Sequence, residues 1–411
     1  MSFKDLKLIK PLLKAVEASG YVTPTLVQQK AIPLILEKKD VIVSAQTGTG
    51  KTAAFALPML QALFDKQDAP KGGRKIKALI ISPTRELAIQ IQQNFKTYAQ
   101  FTNLRTLVVF GGASIEPQVD VLTRGIDVLV ATPGRLLDLH KQDYVNLDYV
   151  ETFVLDEADL MLAMGFIDDV KKIERLCPEK KQTLLFSATI PHKIEDLART
   201  ILNDPERIDV TPTKSVAKDV SQVLYYVPKQ SKIELCLHLL RNTVKGNILI
   251  FRRTKYGVDK LEETLQKNGY AVNSIHGDKA QSDRQNALNK FKNGYVKVLI
   301  ATDVAARGID INELDNVLNF DMPNVPETYV HRIGRTGRAG NIGIAYSLCS
   351  ADEKNYVKTI EQAINVQIPI ETEHPYPLDP KAKPTVHKKQ GSKYKKGRKS
   401  EASKKKKKRW Y

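Results

Sequence analysis

Short apolar runs rich in β-branched residues alternate with longer amphipathic stretches along most of the chain, and this alternation limits the fold more than any other feature. One set of runs lies at 41–43, 78–81, 106–110, 128–130, 153–155 and 183–186, and a second at 247–251, 272–275, 296–301, 316–320 and 342–348. Continuous apolar strands of this length are typical of parallel sheets buried on both faces, joined by helical crossovers. The sequence therefore predicts an α/β fold with two parallel sheets flanked by helices.

The two sets of strands indicate two domains of similar size. Residues 208–220 separate them and contain Pro212 among threonine and serine, a composition typical of a linker. We expect a first domain at 1–207, the linker at 208–220 and a second domain at 221–370. Residues 371–411 are rich in proline, lysine, serine and glycine and poor in apolar residues, so a disordered tail is expected there.

The charge of the chain is concentrated in that tail. Of the net charge of +18, most comes from residues 381–411, which hold fifteen lysines and arginines and a single acid, Glu401. A cationic segment of this kind attracts a polyanion, and nucleic acid is the expected one. Trp410 and Tyr411 could stack on bases, so the tail is interpreted as an RNA tether, with a non-specific solvating tail as the alternative.

Several classes of protein are excluded by absent features. No run approaches the roughly 18–20 apolar residues of a membrane span, and the charged N-terminus lacks the apolar core of a signal peptide, so a cytoplasmic protein is expected. The three cysteines, Cys177, Cys236 and Cys349, are far apart. Their spacing predicts free core thiols and neither a disulfide framework nor a zinc site.

A glycine-rich segment directly after the first strand predicts a phosphate-binding loop. It comprises Ala45, Gln46, Thr47, Gly48, Thr49, Gly50, Lys51 and Thr52, and a helical stretch follows. Glycines let the backbone approach phosphates closely, and the amides at the start of a helix donate to them. We expect Lys51 to reach the terminal phosphates of ATP and the Thr52 hydroxyl to bind Mg²⁺.

An acidic cluster after the strand at 153–155 completes this half of the site. Asp156 at a strand end is expected to hold Mg²⁺, partly through water, and Glu157 is expected to act as the general base toward the attacking water.

With these motifs in place, the sequence resembles the DEAD-box ATP-dependent RNA helicases of superfamily 2, bacterial in type, over the whole chain except its tail. Asp156-Glu157-Ala158-Asp159 spells the motif that names the family. The resemblance implies two tandem RecA-like domains and an N-terminal Q motif within 1–29. Gln28 would read the adenine edge, whose alternating donor and acceptor suit an amide. Phe3 and Tyr21 would pack beside the base.

The resemblance also implies which residues connect the domains and complete catalysis. Arg335 and Arg338 would act as arginine fingers on the γ-phosphate, and Asp310 would hold the ribose hydroxyls. The residues expected to couple hydrolysis to domain movement are Asp159, Ser187, Ala188, Thr189, Asp303 and His331.

RNA-contacting positions follow from the resemblance in both domains. In the first domain they are Pro83, Thr84, Arg85, Gly111, Gly112, Thr132, Pro133, Gly134 and Arg135; in the second they are Arg252, Thr254, Gln281 and Arg284. Glycine, small polar residues and arginine suit contacts to phosphates and 2′-hydroxyls, so binding is expected to be largely independent of base sequence.

The expected activity is an RNA-dependent ATPase that unwinds short duplexes or remodels RNA–protein complexes, acting as a monomer away from membranes. Ribosome assembly, RNA decay and cold adaptation are all open as settings, and a structured ribosomal precursor is the favoured RNA. Two other readings are an RNA clamp with a decayed ATPase, which the intact motifs oppose, and a related DNA translocase, which the Q motif opposes. Leu160 and Ala163 depart from the arginine and aspartate common in the family, which removes a surface ion pair.

Overall fold

The computed structural model describes residues 1–46, 48–65, 73–210, 220–306, 314–337, 343–379 and 382. Its strands form two separate sheets, one of seven strands and one of six, and every strand pairing in both is parallel. Helices connect successive strands in each sheet. The predicted fold class is confirmed.

The first domain is built on the seven-stranded sheet, whose order is β3-β4-β2-β5-β6-β1-β7. Its strands are β1 Val41–Ala45, β2 Ala78–Ile81, β3 Thr106–Val109, β4 Val128–Ala131, β5 Thr152–Leu155, β6 Gln182–Ser187 and β7 Glu206–Val210. Because all the strands point the same way, their carboxyl ends meet at one edge, where ligands bind in open α/β sheets.

Nine helices of the described residues cover this sheet. They are α1 Lys10–Ala18, α2 Leu26–Leu36, α3 Lys51–Phe64, α4 Arg85–Ala99, α5 Glu116–Thr123, α6 Pro133–Lys141, α7 Ala158–Ala163, α8 Ile167–Arg175 and α9 His192–Ile201. Two apolar cores result, one on each face: Val43 and Ile80 lie in one, and Ile42 and Leu79 in the other. Successive residues of a strand point alternately into the two cores. Both faces of the sheet therefore need apolar side chains, which explains the continuous apolar runs.

The second domain is built on the six-stranded sheet, in the order β10-β11-β9-β12-β13-β8. Its strands are β8 Val220–Tyr226, β9 Ile248–Arg252, β10 Val272–Ile275, β11 Val298–Thr302, β12 Asn316–Asn319 and β13 Gly343–Cys349. Its helices are α10 Lys232–Asn242, α11 Lys255–Lys267, α12 Gln281–Lys292, α13 Asp303–Ala306, α14 Pro326–Ile333 and α15 Lys354–Ile364.

The predicted linker begins too early. Residues 208–210 belong to β7, which pairs with β1 at the edge of the sheet and exposes polar side chains such as Arg207 and Asp209. A half-exposed edge strand lacks the continuous apolar run that revealed the other strands. Residue 220 opens β8, and 211–219 lie outside the described residues.

The predicted tail also begins too early, because residues 371–379 pack against the edge strand β8. The Glu371 amide donates to Leu224 O at 2.9 Å, and the Leu378 amide donates to Tyr226 O at 3.0 Å. Between them the His374 ring meets Tyr225 edge-on, with centroids 5.5 Å apart. This segment therefore covers the open edge of the second sheet. The other residues of the predicted tail, 380, 381 and 383–411, lie outside the described residues.

The three cysteines are free and buried, as predicted. Burial raises the pKa of each thiol to about 12, so each is protonated and unreactive near neutral pH. Within the described parts of the chain, no helix is long and apolar enough to cross a membrane.

Candidate active site and nucleic-acid interface

The phosphate-binding loop lies at the carboxyl end of β1, where Ala45 is fully buried and Lys51 opens α3. Gly48 and Gly50 have φ of +85° and +86°, in the left-handed region. A Cβ on Gly50 would lie 2.4 Å from Gln28 Nε2, so the position has neither the dihedral nor the space for a side chain. Thr47 lies outside the described residues.

Lys51 forms a buried ion pair across the loop with Glu157 at the end of β5. Lys51 Nζ lies 2.8 Å from Glu157 Oε1, and the Lys51 side chain is 5% exposed. Burial by itself lowers the pKa of Lys51, but the charges of Glu157 and Asp156 outweigh it, so the net shift is upward. The lysine is therefore a fixed cation, placed where terminal phosphates would replace its carboxylate partner.

Asp156 is almost completely buried beside Glu157. Burial, reinforced by the neighbouring carboxylate, raises the pKa of Asp156 well above its usual range, although Lys51 opposes the shift. A buried carboxylate in this state gains most from a cation. Mg²⁺ is held in proteins by one or two carboxylates together with phosphates and waters, and Asp156 with the half-buried Thr52 fits that donor set.

Glu157 takes a left-handed backbone conformation, with φ +56°, as the cap of α7. A left-handed backbone is uncommon for a residue with a side chain and marks a position fixed by its surroundings. The turn sets the Glu157 carboxylate facing the phosphate-binding loop, as its contact with Lys51 shows.

Gln28 contacts the same loop from α2. Its Nε2 donates to Gly50 O at 3.2 Å, while its Oε1 accepts from the Thr25 amide at 2.9 Å. Thr25 and Gln28 together cap α2, so the glutamine is held at the helix start.

An aromatic wall lies beside Gln28. Phe3 stacks on Tyr21 with centroids 6.5 Å apart, and Tyr21 meets Tyr98 of α4 through hydroxyls 3.2 Å apart. A cavity of about 530 Å³ joins this wall to Lys51, Asp156 and Glu157. Gln90, Asn94 and Tyr98 also line it and were not anticipated from the sequence. Their spacing of four residues along α4 was the available signal, because it places them on one helical face.

The predicted coupling residues of the first domain form one network between β5 and β6. The Asp159 amide donates to Ser187 Oγ at 3.0 Å, and Thr189 donates to Asp159 Oδ2 through its amide and its hydroxyl, at 3.2 and 3.0 Å. Ala188 is buried between the two polar residues. The acidic motif and the end of β6 are therefore mechanically joined.

In the second domain, Asp303 binds a residue that the sequence analysis left without a role. Arg332 donates to both Asp303 carboxylate oxygens, at 2.6 and 2.8 Å, and its guanidinium lies 5.0 Å from the centroid of the Phe251 ring. Arg332 thereby fixes α14, which also carries His331 and leads to the buried Arg335. Arg338 and Asp310 lie outside the described residues.

A second cavity, of about 470 Å³, is lined by both domains. Eight of the nine predicted RNA-contacting residues of the first domain line it, all except Gly112: Pro83, Thr84, Arg85, Gly111, Thr132, Pro133, Gly134 and Arg135. The second domain contributes Gly277, Arg284, Val304 and Ala305. Strand ends of two sheets thus form one groove.

Position 112 requires glycine because the side chain of Arg85, which lines this groove, lies against it. Its φ is +73°, and a Cβ there would lie 2.2 Å from Arg85 Nη1. The arginine therefore crosses directly over the glycine backbone. Next to Gly112, Ala113 O accepts from Arg135 Nη2 at 3.0 Å, which holds a second guanidinium at the groove.

Two predicted RNA contacts of the second domain bind the first domain in this structure. Gln281 Nε2 donates to Glu86 Oε1 at 2.7 Å, and Arg284 Nη2 lies 2.9 Å from Glu86 Oε2. Both partners of the ion pair are nearly buried, and burial lowers the pKa of Arg284 despite the nearby carboxylate. The sequence analysis gave Glu86 no role, since a sequence does not show which residue a carboxylate meets across domains.

Arg252 and Thr254 have local partners. Arg252 Nε lies 3.0 Å from Asp321 Oδ2, and its guanidinium stacks over Phe320 at 4.1 Å. Thr254 caps α11 by accepting from the Gly257 amide at 3.0 Å. The departures noted at Leu160 and Ala163 fall on α7: Leu160 is buried and Ala163 exposed.

Comparison with known proteins agrees with this geometry. Residues 25–197 match the DEAD/DEAH box helicase family, and residues 231–340 match the helicase conserved C-terminal domain. The DEAD-box ATP-dependent RNA helicase CshA of Geobacillus kaustophilus is 42% identical over 361 residues, covering 88% of this chain and 76% of the relative. CshA of Bacillus subtilis is 43% identical over 362 residues, covering 88% and 72%.

Solved structures agree as well. Dbp5 of S. cerevisiae bound to RNA and ADP BeF3 superposes with a TM-score of 0.80 at 30% identity, covering 90% of this chain and 95% of that one. Mss116p bound to ssRNA and AMP-PNP gives a TM-score of 0.81 at 31% identity, covering 90% and 78%. With its two RecA-like sheets, a phosphate-binding loop facing Asp156 and Glu157, and these relatives, the chain belongs to the DEAD-box ATP-dependent RNA helicases and is an RNA-dependent ATPase.

Proposed function

We propose that the protein separates short RNA duplexes locally, by closing its two domains over ATP and RNA, without travelling along the strand. The observation that carries this proposal is the groove lined by both domains, beside an ATP cavity whose described lining comes from the first domain. A half-built ATP site can be completed only by movement of the second domain, which RNA bound in the shared groove would favour.

In this mechanism the first domain binds ATP and the second completes the transition state. Gln28, Phe3 and Tyr21 hold the adenine, and the 45–52 loop holds the phosphates. Thr52 and Asp156 would hold Mg²⁺, which would neutralise charge on the phosphates. Glu157, released from Lys51, accepts a proton from the attacking water.

The second domain supplies cations. Arg335 and Arg338 stabilise charge on the γ-phosphoryl group as it transfers, and Asp310 holds the ribose. The network of Asp159, Ser187 and Thr189 couples γ-phosphate binding to the interdomain surface of the first domain. His331 and Asp303 couple to it from the second domain.

RNA lies across the groove with its backbone against Arg85, Gly112 and Arg135. These groups recognise phosphates and 2′-hydroxyls, so the substrate is chosen by its single-stranded shape. The polybasic tail acts as a tether that raises the local concentration of RNA. Ribosomal precursors and RNA-decay assemblies are the settings we favour, and the protein acts as a monomer.

Strand separation tests the proposal. Short and long duplexes, either blunt or carrying a single-stranded overhang and each labelled on one strand, are mixed with the protein and ATP. Separation that falls steeply with duplex length supports local prying, whereas length-independent separation after loading on a single-stranded overhang indicates translocation. The Lys51→Ala protein, which lacks the phosphate cation, serves as the inactive control. Strand separation and ATPase stimulated equally well by DNA would favour the DNA-translocase alternative.

A further inference from the structure

A second groove, of about 650 Å³, opens on the second domain beyond the carboxyl ends of β9, β12 and β13. Five cationic side chains and three carboxylates line it. It lies outside the ATP cavity and the interdomain groove, and only Arg252 among the predicted site residues reaches it. We propose that it binds the single-stranded RNA that flanks the interdomain groove, through its phosphate backbone and one stacked base; this rests on the proposed function.

The carboxylates of this flanking groove are already neutralised. Glu353 is buried and accepts from Lys232 Nζ at 2.6 Å and from the Ser350 amide at 3.0 Å. Asp321 is paired with Arg252, as described above. Asp352 lies 3.6 Å from Lys229 Nζ. The acids therefore hold the groove together and leave an excess of positive charge on its surface.

Two of the cations point to an anionic ligand. The Arg253 side chain is 49% exposed and lies 5.5 Å from the Tyr356 ring centroid. It uses one terminal nitrogen, Nη2, on both Met322 O at 2.7 Å and Glu353 Oε1 at 3.5 Å. A guanidinium has five donor hydrogens, so others face the groove. Lys260 is exposed on α11, and its ammonium is a strongly hydrated donor suited to phosphate.

An exposed aromatic ring lies on the same helix as Lys260. Tyr256, 76% exposed, is one turn before Lys260 on α11 and shares its helical face. A large apolar ring in water between cations is poorly explained by packing. Aromatic rings interleaved with cations are typical of surfaces that bind single strands, because every base offers a face for stacking.

The start of α11 lies beside the interdomain groove. Lys255, next to Tyr256, pairs with Asp278 and lies against Gly277, which lines the interdomain groove. At the far side, Lys354 lies 5.7 Å from the Tyr226 ring, and Leu378 is bonded to that same residue. The polybasic sequence begins at Lys381. A strand leaving the interdomain groove past Lys255 would therefore meet Tyr256, Lys260 and Arg253 in turn.

The test compares two single-stranded RNAs on the full-length protein. One is just long enough to fill the interdomain groove, and the other extends beyond it at both ends. The Tyr256→Ala/Lys260→Gln variant is expected to bind the long RNA about 5- to 50-fold more weakly and the short RNA as the wild type does. For the long RNA, the slope of log affinity against log salt concentration should become shallower by roughly 0.7, because one phosphate contact is lost.

The control carries Tyr295→Ala and Lys267→Gln. Tyr295 is 77% exposed before β11, at the opposite edge of the same sheet, and Lys267 is at the other end of α11. This variant should bind both RNAs normally. Thermal unfolding of both variants at the wild-type temperature confirms that neither change disturbs the fold.

Three results would overturn the inference. Equal weakening for both RNAs would place the effect in the interdomain groove, and no weakening for either would remove RNA from this surface. Binding of poly-glutamate that is lost in the Tyr256→Ala/Lys260→Gln variant, with long-RNA affinity intact, would assign the surface to an acidic protein segment. If neither RNA stimulates the wild-type ATPase, the proposed function itself fails, independently of the flanking groove.

Discussion

The buried pair between Glu86 and Arg284 should set the free energy of domain closure. This ion pair joins the two domains, and Gln281 supports it from the same helix as Arg284. We expect Glu86→Gln and Arg284→Gln each to shift the protein toward the open state. Each change leaves the remaining charged partner without an opposite charge at a contact that is nearly buried. Nucleotide binding to the first domain alone should not change.

The magnitude follows from the distance and the burial. At 2.9 Å and an effective dielectric constant of about 20, the attraction is about 6 kcal/mol. Removing two charges from water offsets several kcal/mol of this. A net coupling of about 1–3 kcal/mol remains, which corresponds to a shift of about 5- to 150-fold in the closing equilibrium.

A double-mutant cycle measures this coupling. Fluorophores are attached to exposed sites, one in each domain, and the closed fraction is recorded by single-molecule energy transfer with an ATP analogue and RNA. Each single change should reduce the closed fraction. The double change should reduce the free energy of closure by less than the sum of the two single changes. Glu116→Gln, an exposed acid of the first domain, should be additive with Arg284→Gln.

Two outcomes would refute the reasoning. A coupling energy below about 0.5 kcal/mol would mean that the pair does not contribute to closure. Tighter RNA binding by Glu86→Gln, with closure unchanged, would mean that Arg284 is an RNA ligand which Glu86 restrains, as its predicted role suggests.

Further predictions concern the ATP site and the tail. Glu157→Gln should bind ATP and RNA but hydrolyse at least about 100-fold more slowly, measured by single-turnover phosphate release; near-normal turnover would exclude it as the general base. Arg335→Ala should keep ATP affinity and lose about 10³-fold in hydrolysis, and equal loss of affinity would make it a binding residue. Gly50→Ala should weaken nucleotide binding and cost about 1–3 kcal/mol in thermal unfolding, because a left-handed backbone and Gln28 both oppose a Cβ. Truncation after Asp379 should raise the RNA concentration needed for half-maximal ATPase and flatten its salt dependence; unchanged behaviour at low salt would exclude the tether.

Local patterns in the sequence were sufficient for much of this protein. The alternation of apolar runs predicted the α/β class, since a strand buried on both faces needs apolar residues on both sides. The phosphate-binding loop and the acidic motif were recognisable because their chemistry depends on neighbours in sequence: Gly50 is followed by Lys51, and Asp156 by Glu157. The edge strands β3 and β10 were recognised, but β7 and β8 were missed, because polar residues such as Arg207, Asp209 and Gln222 interrupt their apolar pattern.

Partnerships between distant residues were decided only by the tertiary structure. Glu86 meets Gln281 and Arg284 almost two hundred residues away. Lys51 pairs with Glu157, and Tyr256 is left exposed on α11. These contacts depend on which strand ends the parallel sheets bring to a common edge and on how the two sheets face each other. The sequence by itself determined which groups can bind phosphate, while the fold decided which of them are already paired and which remain available to a ligand.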